Sequence, residues 1–172
     1  MKRKIHYLLL ILFVFSVASY SQKNDVSEAN KTIKEFKEKD PGMSKFFSSA
    51  YGYAVFPGIG KGGLVVGGAG GKGTLFKSNT AVADTKMSQI TVGFQAGGQK
   101  YAEVIFFEDA NSYNEFVSGS YEFAAQVSAV ALASGVSVDA KYQDGILVVT
   151  MAIDGLMYEA SVGGQKFEVE KF

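Results

Sequence analysis

The amino-acid sequence predicts an α+β fold, a strongly bent antiparallel sheet or partly open barrel with two to three packed helices. Three features predict it. A stretch of helical periodicity stands first, and runs of β-branched and aromatic residues separated by turn dipeptides fill the remainder. Many of the 20 glycines fall where a sheet would have to bend.

Residues 25–39 place Val26, Ala29, Ile33 and Phe36 on one face of a helix at about 100° per residue. Asp25 followed by Glu28 resembles a capping box. Asp40-Pro41 ends this helix and starts a second, whose apolar face is Met43, Phe46, Phe47 and Ala50. From Tyr51 the texture becomes β. Residues 51–56 read as a short strand closed by Pro57-Gly58, and residues 62–77 carry Leu64, Val65, Val66, Leu75 and Phe76 among glycines, so parts of them pair as strands. Residues 89–95 alternate, with Ile90, Val92 and Phe94 on one face, and Gly97-Gly98 turns the chain into residues 101–107 as a hairpin. Asp109 caps a helix bearing Ala110, Tyr113, Phe116 and Val117, stopped by Gly119. Residues 124–133 are small and apolar, and periodicity leaves strand and short helix both open. Asp144-Gly145 and Asp154-Gly155 read as type I′ turns that separate residues 146–153 from 156–162. Gly163-Gly164 then leads into a last strand with Phe167 and Val169. Tight turns between strands imply antiparallel pairing.

Residues 1–21 are expected to be a signal peptide, with 22–172 as one domain. Lys2, Arg3 and Lys4 form a positive start, residues 7–17 are almost unbroken apolar sequence, and Ser19-Tyr20-Ser21 offers small residues for cleavage before Gln22. The 16 residues from Ile5 to Tyr20 fall short of the ~20 that a spanning helix needs. Export would place the protein in the periplasm or outside the cell.

Composition closes several classes of function. There is no cysteine, and His6 lies in the segment expected to be removed. The processed chain therefore lacks the commonest general base and the commonest transition-metal ligands. No catalytic residue, metal site or cofactor is assigned, and the protein is expected not to be an enzyme. Of 17 basic residues three lie in the leader, so 14 face 17 acidic ones after processing, a net charge of −3. A nucleic-acid binder would carry a basic excess.

Gly58-Ile59-Gly60-Lys61-Gly62-Gly63 and Gly68-Ala69-Gly70-Gly71-Lys72-Gly73 both satisfy GxGxxG. Each continues into glycine or β-branched residues that oppose the helix a dinucleotide site requires. Neither Lys61 nor Lys72 is followed by Ser or Thr, which removes a P-loop. The glycines suit bulges and close backbone approach, and the two lysines sit in small-residue settings where an ammonium could meet an anion. Residues 109–113 resemble the start of a calcium loop, but Asn114 and Ser120 stand where Gly and Glu are wanted. The first helix either packs on the sheet or lies on a membrane; full burial of Val26, Ile33 and Phe36 would contribute ~1.5–3 kcal/mol each to docking.

The run Tyr51-Gly52-Tyr53-Ala54-Val55-Phe56-Pro57, continuing through Gly60-Lys61-Gly62-Gly63 to Gly67-Gly68-Ala69-Gly70-Gly71-Lys72-Gly73, resembles the SYLF lipid-binding domain family. Residues 89–95 with Gly97-Gly98-Gln99, then residues 103–107, then Gly155-Leu156-Met157-Tyr158-Glu159-Ala160 extend the likeness in order. The resemblance implies a module that binds phospholipid headgroups or a membrane surface. It points to Lys61 and Lys72 as headgroup lysines. The membrane-contacting helix would correspond to the segment around Ile33 and Phe36, with Lys34 and Lys37 beside them. Eukaryotic relatives bind phosphoinositides and some bind actin; an exported chain without an attached SH3-type domain argues against actin here. The alternative is a non-catalytic structural or protein-interaction module of the cell envelope.

Overall fold

A computed structural model describes residues 26–119, 122–123 and 129–172. The leader and Asp25 lie outside the described residues, as do residues 124–128. Helix α1 is Val26–Lys39, and its buried side, Ala29, Thr32, Ile33 and Phe36, follows the expected periodicity. Asp40 accepts a hydrogen bond from the Gly42 N–H at 3.1 Å, and a 3-10 turn, Pro41–Met43, leads into α2, Ser44–Ser49. The other Asp40 oxygen accepts from the Ser137 N–H at 2.7 Å, which holds its carboxyl below the usual carboxylate range and ties the helix junction to a distant loop. Helix α3, Ala110–Val117, is capped by Asp109, which accepts from the Ser112 N–H at 2.9 Å, and it stops at Gly119 with φ +68°.

The strands depart from expectation in length. Strands β1 (Gly52–Lys77), β2 (Thr80–Phe107) and β5 (Ile146–Lys171) run 26, 28 and 26 residues. Pro57-Gly58, Gly97-Gly98 and Asp154-Gly155 are therefore not chain reversals but points inside continuous strands. The hairpin turn lies at Ser78 and Asn79, whose φ values of 49° and 63° are those of a type I′ turn. Asp144-Gly145 is a turn, as expected. Two short strands complete the sheet: β3 (Glu122–Phe123) and β4 (Val130–Ala131), the one regular piece described within 124–133.

The order is β1-β2-β5-β3, with β4 also on β5. This corrects the expected all-antiparallel sheet or partly open barrel. The architecture is dominated by a mixed sheet that does not close, with three α-helices among the described residues. The β1–β2, β2–β5 and β3–β5 pairs are antiparallel, whereas Val130–Ala131 runs parallel to Val149 and Thr150. Tight turns forced the antiparallel reading; the segment after β4, with its 3-10 turn Val136–Val138, supplies the crossover that a parallel pair needs.

A straight 26-residue strand would extend ~85 Å, while a compact chain of this size has a radius of gyration of about 15 Å. The sheet must fold over. Register shifts between Phe56 and Ile59, between Leu64 and Val66, and between Lys100 and Tyr101 mark irregularities along the strands. The two limbs of β1 come side by side. A methyl group at Gly52 would stand 2.7 Å from the Phe76 carbonyl oxygen, one at Gly71 2.9 Å from that of Gly58, and one at Gly73 2.5 Å from that of Val55. The first half of the folded sheet comprises residues 52–62, 96–107 and 146–155; the second comprises 66–77, 80–92 and 162–171.

Two cores result. Between the halves lies an inner core containing Phe56, Ile59, Leu75, Met87, Ile105 and Phe167, plugged by Tyr113 and Phe116 of α3. Outside the first half, α1 and α2 bury Phe36, Phe46 and Phe47 against Tyr53, Val55 and Phe106. Gly73→Ala is expected to destabilise the fold by roughly 1–3 kcal/mol or more through overpacking against backbone. Gly70→Ala meets only the Met87 carbonyl oxygen at 3.5 Å and is expected to be neutral or stabilising by up to ~1 kcal/mol. Denaturant melts of the pair check both.

Candidate functional site

Helices α1 and α2 cover the outside of the first half and reach Phe76 and Ala81 at one end of the second; beyond these the outer face of the second half meets solvent. Strand alternation puts Val66, Gly68, Gly70 and Lys72 of β1 there beside Val92, Ile90, Ser88 and Lys86 of β2. Val66 lies directly opposite Val92, and Gly68 opposite Ile90. Leu64, Val65, Val66, Ile90 and Val92 are each between 59% and 73% exposed. Single exposed apolar residues need no explanation, but Val66, Ile90 and Val92 are neighbours on one face with Leu64 and Val65 beside them at the bend, and such a group marks a contact surface. Val65 sharpens the point. Its φ of 60° is an outlier for a β-branched residue, and such strain concentrates where a structure is committed to a function.

Along the same face the character changes in order. Past the apolar bend come bare glycine backbone and Ser88, then Lys72 directly opposite Lys86, with Glu168 opposite Lys86 on its other side. Gly71, Lys72, Lys86, Met87, Ser88 and Glu168 line a groove of about 290 Å³. Like charges facing one another across a ladder are destabilising, and the Glu168 carboxylate on the other side of Lys86 supplies an opposite charge.

The six residues expected to bind lipid do not assemble. Phe36 is fully buried and Ile33 nearly so, both in the core beneath α1. Lys34 pairs with Glu38 at 3.5 Å on the far side of that helix. The Lys37 ammonium sits 5.0 Å from the Phe47 ring centroid. Lys61, half-buried, lies opposite Gln99 near the bend, whereas Lys72 lies in the groove on the other half. Of the six, only Lys72 belongs to the exposed face. Sequence reasoning missed Lys86, Ser88 and Glu168, which only strand register brings beside Lys72. It also missed the exposure of Ile90 and Val92, which alternate as core residues do.

One buried acid stands apart. Glu103 is 1% exposed on the inner wall, alternating with Ile105 and Phe107. One of its oxygens accepts from the Gln165 amide at 3.3 Å and the other, Oε1, has no donor among the described residues. Burial pushes its carboxyl up to about 7, against the smaller opposing effects of Gln165 and Lys61. A raised acid favours folding in its protonated form. That contribution is complete below the ordinary value of 4.5 and is lost as pH rises through about 7. Among the described residues no group of three or more acids or histidines is placed to hold a metal ion.

No family model matches the chain. It is similar to Beta cell expansion factor A of Aeromonas veronii, with 32% identity over 141 residues. That alignment takes in 81% of this chain but 53% of the relative, so the chain spans about half the length of the curated protein it matches.

Proposed function

We propose that this protein is an exported lipid-binding module that docks on phospholipid membranes through the outer face of the second half-sheet. The observation that carries the reading is the uncovered apolar group of Leu64, Val65, Val66, Ile90 and Val92. Its continuation into paired lysines on the same face favours a bilayer over a protein groove, because apolar side chains would enter the acyl boundary while ammonium groups meet phosphate. The SYLF resemblance points the same way. It places Lys72 in the headgroup role, and the geometry adds Lys86 and Ser88 as its neighbours. The protein acts by binding; a processed chain without imidazole or thiol has little to activate a nucleophile with.

Co-sedimentation with phosphatidylcholine vesicles, and with the same vesicles containing phosphatidylglycerol, tests the proposal. Binding to both is expected, stronger to the anionic set. Each basic residue near an anionic surface contributes about 1 kcal/mol, so Lys72→Gln with Lys86→Gln should lower anionic binding about 30-fold and leave binding to neutral vesicles nearly unchanged. Absence of binding to either vesicle, together with in-cell cross-linking to a stoichiometric protein partner, would assign the face to an envelope protein instead.

A further inference from the structure

The two halves of the folded sheet meet across a largely apolar seam in which, among the described residues, Glu103 is the buried acid. Phe167 of the second half packs on Phe56 of the first and on Phe116 of α3, with ring centroids 5.8 and 4.8 Å apart. Glu103 of the first half reaches across to Gln165 of the second, 62 residues away in sequence. We propose that this contact is a proton-operated latch: protonated Glu103 holds the halves closed, and its ionisation lets the second half part from the inner wall. The inference stands independently of the membrane reading.

A carboxylate needs several donors or a close cation to remain ionised out of water. Among the described residues Glu103 has one hydrogen bond, long and from a neutral amide, and an unpartnered second oxygen. The groups that face it are the Gln165 amide from β5, the Lys61 ammonium from β1 and, two residues along β2, the Tyr101 phenol; Phe56 and Thr150 are its neighbours in register. Lys61 is half-buried near the bend and lowers the carboxyl only in part. Ionisation therefore favours any rearrangement that brings water to Glu103, and the Glu103–Gln165 contact is where such a rearrangement parts the two halves.

The chain lacks cysteine, so one introduced thiol is a unique probe of opening. Met87→Cys puts it on the inner wall of the second half, and Val149→Cys puts a control beneath the helices on the outer side of the first; both native side chains are buried. Labelling rates, each divided by that of a free thiol at the same pH, are compared at about pH 5.5 and about pH 8.5. A carboxyl that moves from about 7 when closed to 4.5 when open should raise labelling at position 87 about 30-fold across that range. Position 149 should change much less, and Glu103→Gln should abolish the rise. Ala69→Cys, also on the inner wall, serves as a second site should the Met87 variant fold poorly. Labelling at both inner sites that does not change with pH overturns the latch. So does a rise that survives Glu103→Gln, or an equal rise at position 149, which would mean global unfolding.

Discussion

Replacing Val66, Ile90 and Val92 together by threonine is expected to lower partition onto phosphatidylcholine vesicles by about 100-fold. Threonine keeps the β-branched shape that suits a strand. It also keeps most of the volume, so the substitution isolates chemistry from fold. Each hydroxyl carried into the acyl boundary without a partner costs about 1 kcal/mol or more, and three such costs sum to about two decades of affinity. Stability should stay within about 0.5 kcal/mol, since all three side chains are solvent-exposed. Vesicle co-sedimentation and a thermal melt on the same samples read both quantities. Unchanged binding to neutral vesicles would remove this face from the membrane and with it the proposed orientation.

The helices were legible because their signals are local. Ala29, Ile33 and Phe36 recur at helical spacing, and Asp40 and Asp109 cap where a short acceptor precedes a helix. Strand ends were not. A turn signal reports a backbone able to leave the extended line, and a bend inside a long strand uses that same property. Gly155, with φ +87°, carries β5 past the Gly98 carbonyl oxygen, where a side chain would collide, instead of reversing the chain. The true reversal, Ser78-Asn79, lacks the glycine that usually betrays a type I′ turn.

The face proposed to bind lipid was harder to read for a related reason. Alternation in residues 89–95 reveals two faces but not which of them is covered. That depends on where α1 and α2 settle, and they settle on the first half. The family resemblance points to Lys72; Lys86 lies 14 positions further along the chain and joins Lys72 only because the Ser78-Asn79 turn sets that register.

Phe36→Ala should separate the two roles that α1 could play. Its ring is fully buried among Val55, Phe106 and Phe47, and truncating a core phenylalanine costs about 3–5 kcal/mol through lost transfer and the cavity left behind. Set against a total stability of about 5–15 kcal/mol, that is a large fraction, and melting should fall by about 10 °C. Below the new midpoint vesicle binding should be unaltered, because Val66, Lys72, Lys86, Ile90 and Val92 are exposed and lie outside the core packed on α1. A helix that inserted Phe36 into lipid would behave in the opposite way, losing affinity while the melt hardly moved. The pairing of a large stability loss with preserved binding therefore assigns Phe36 to the core and leaves membrane contact to the bend and the lysine groove.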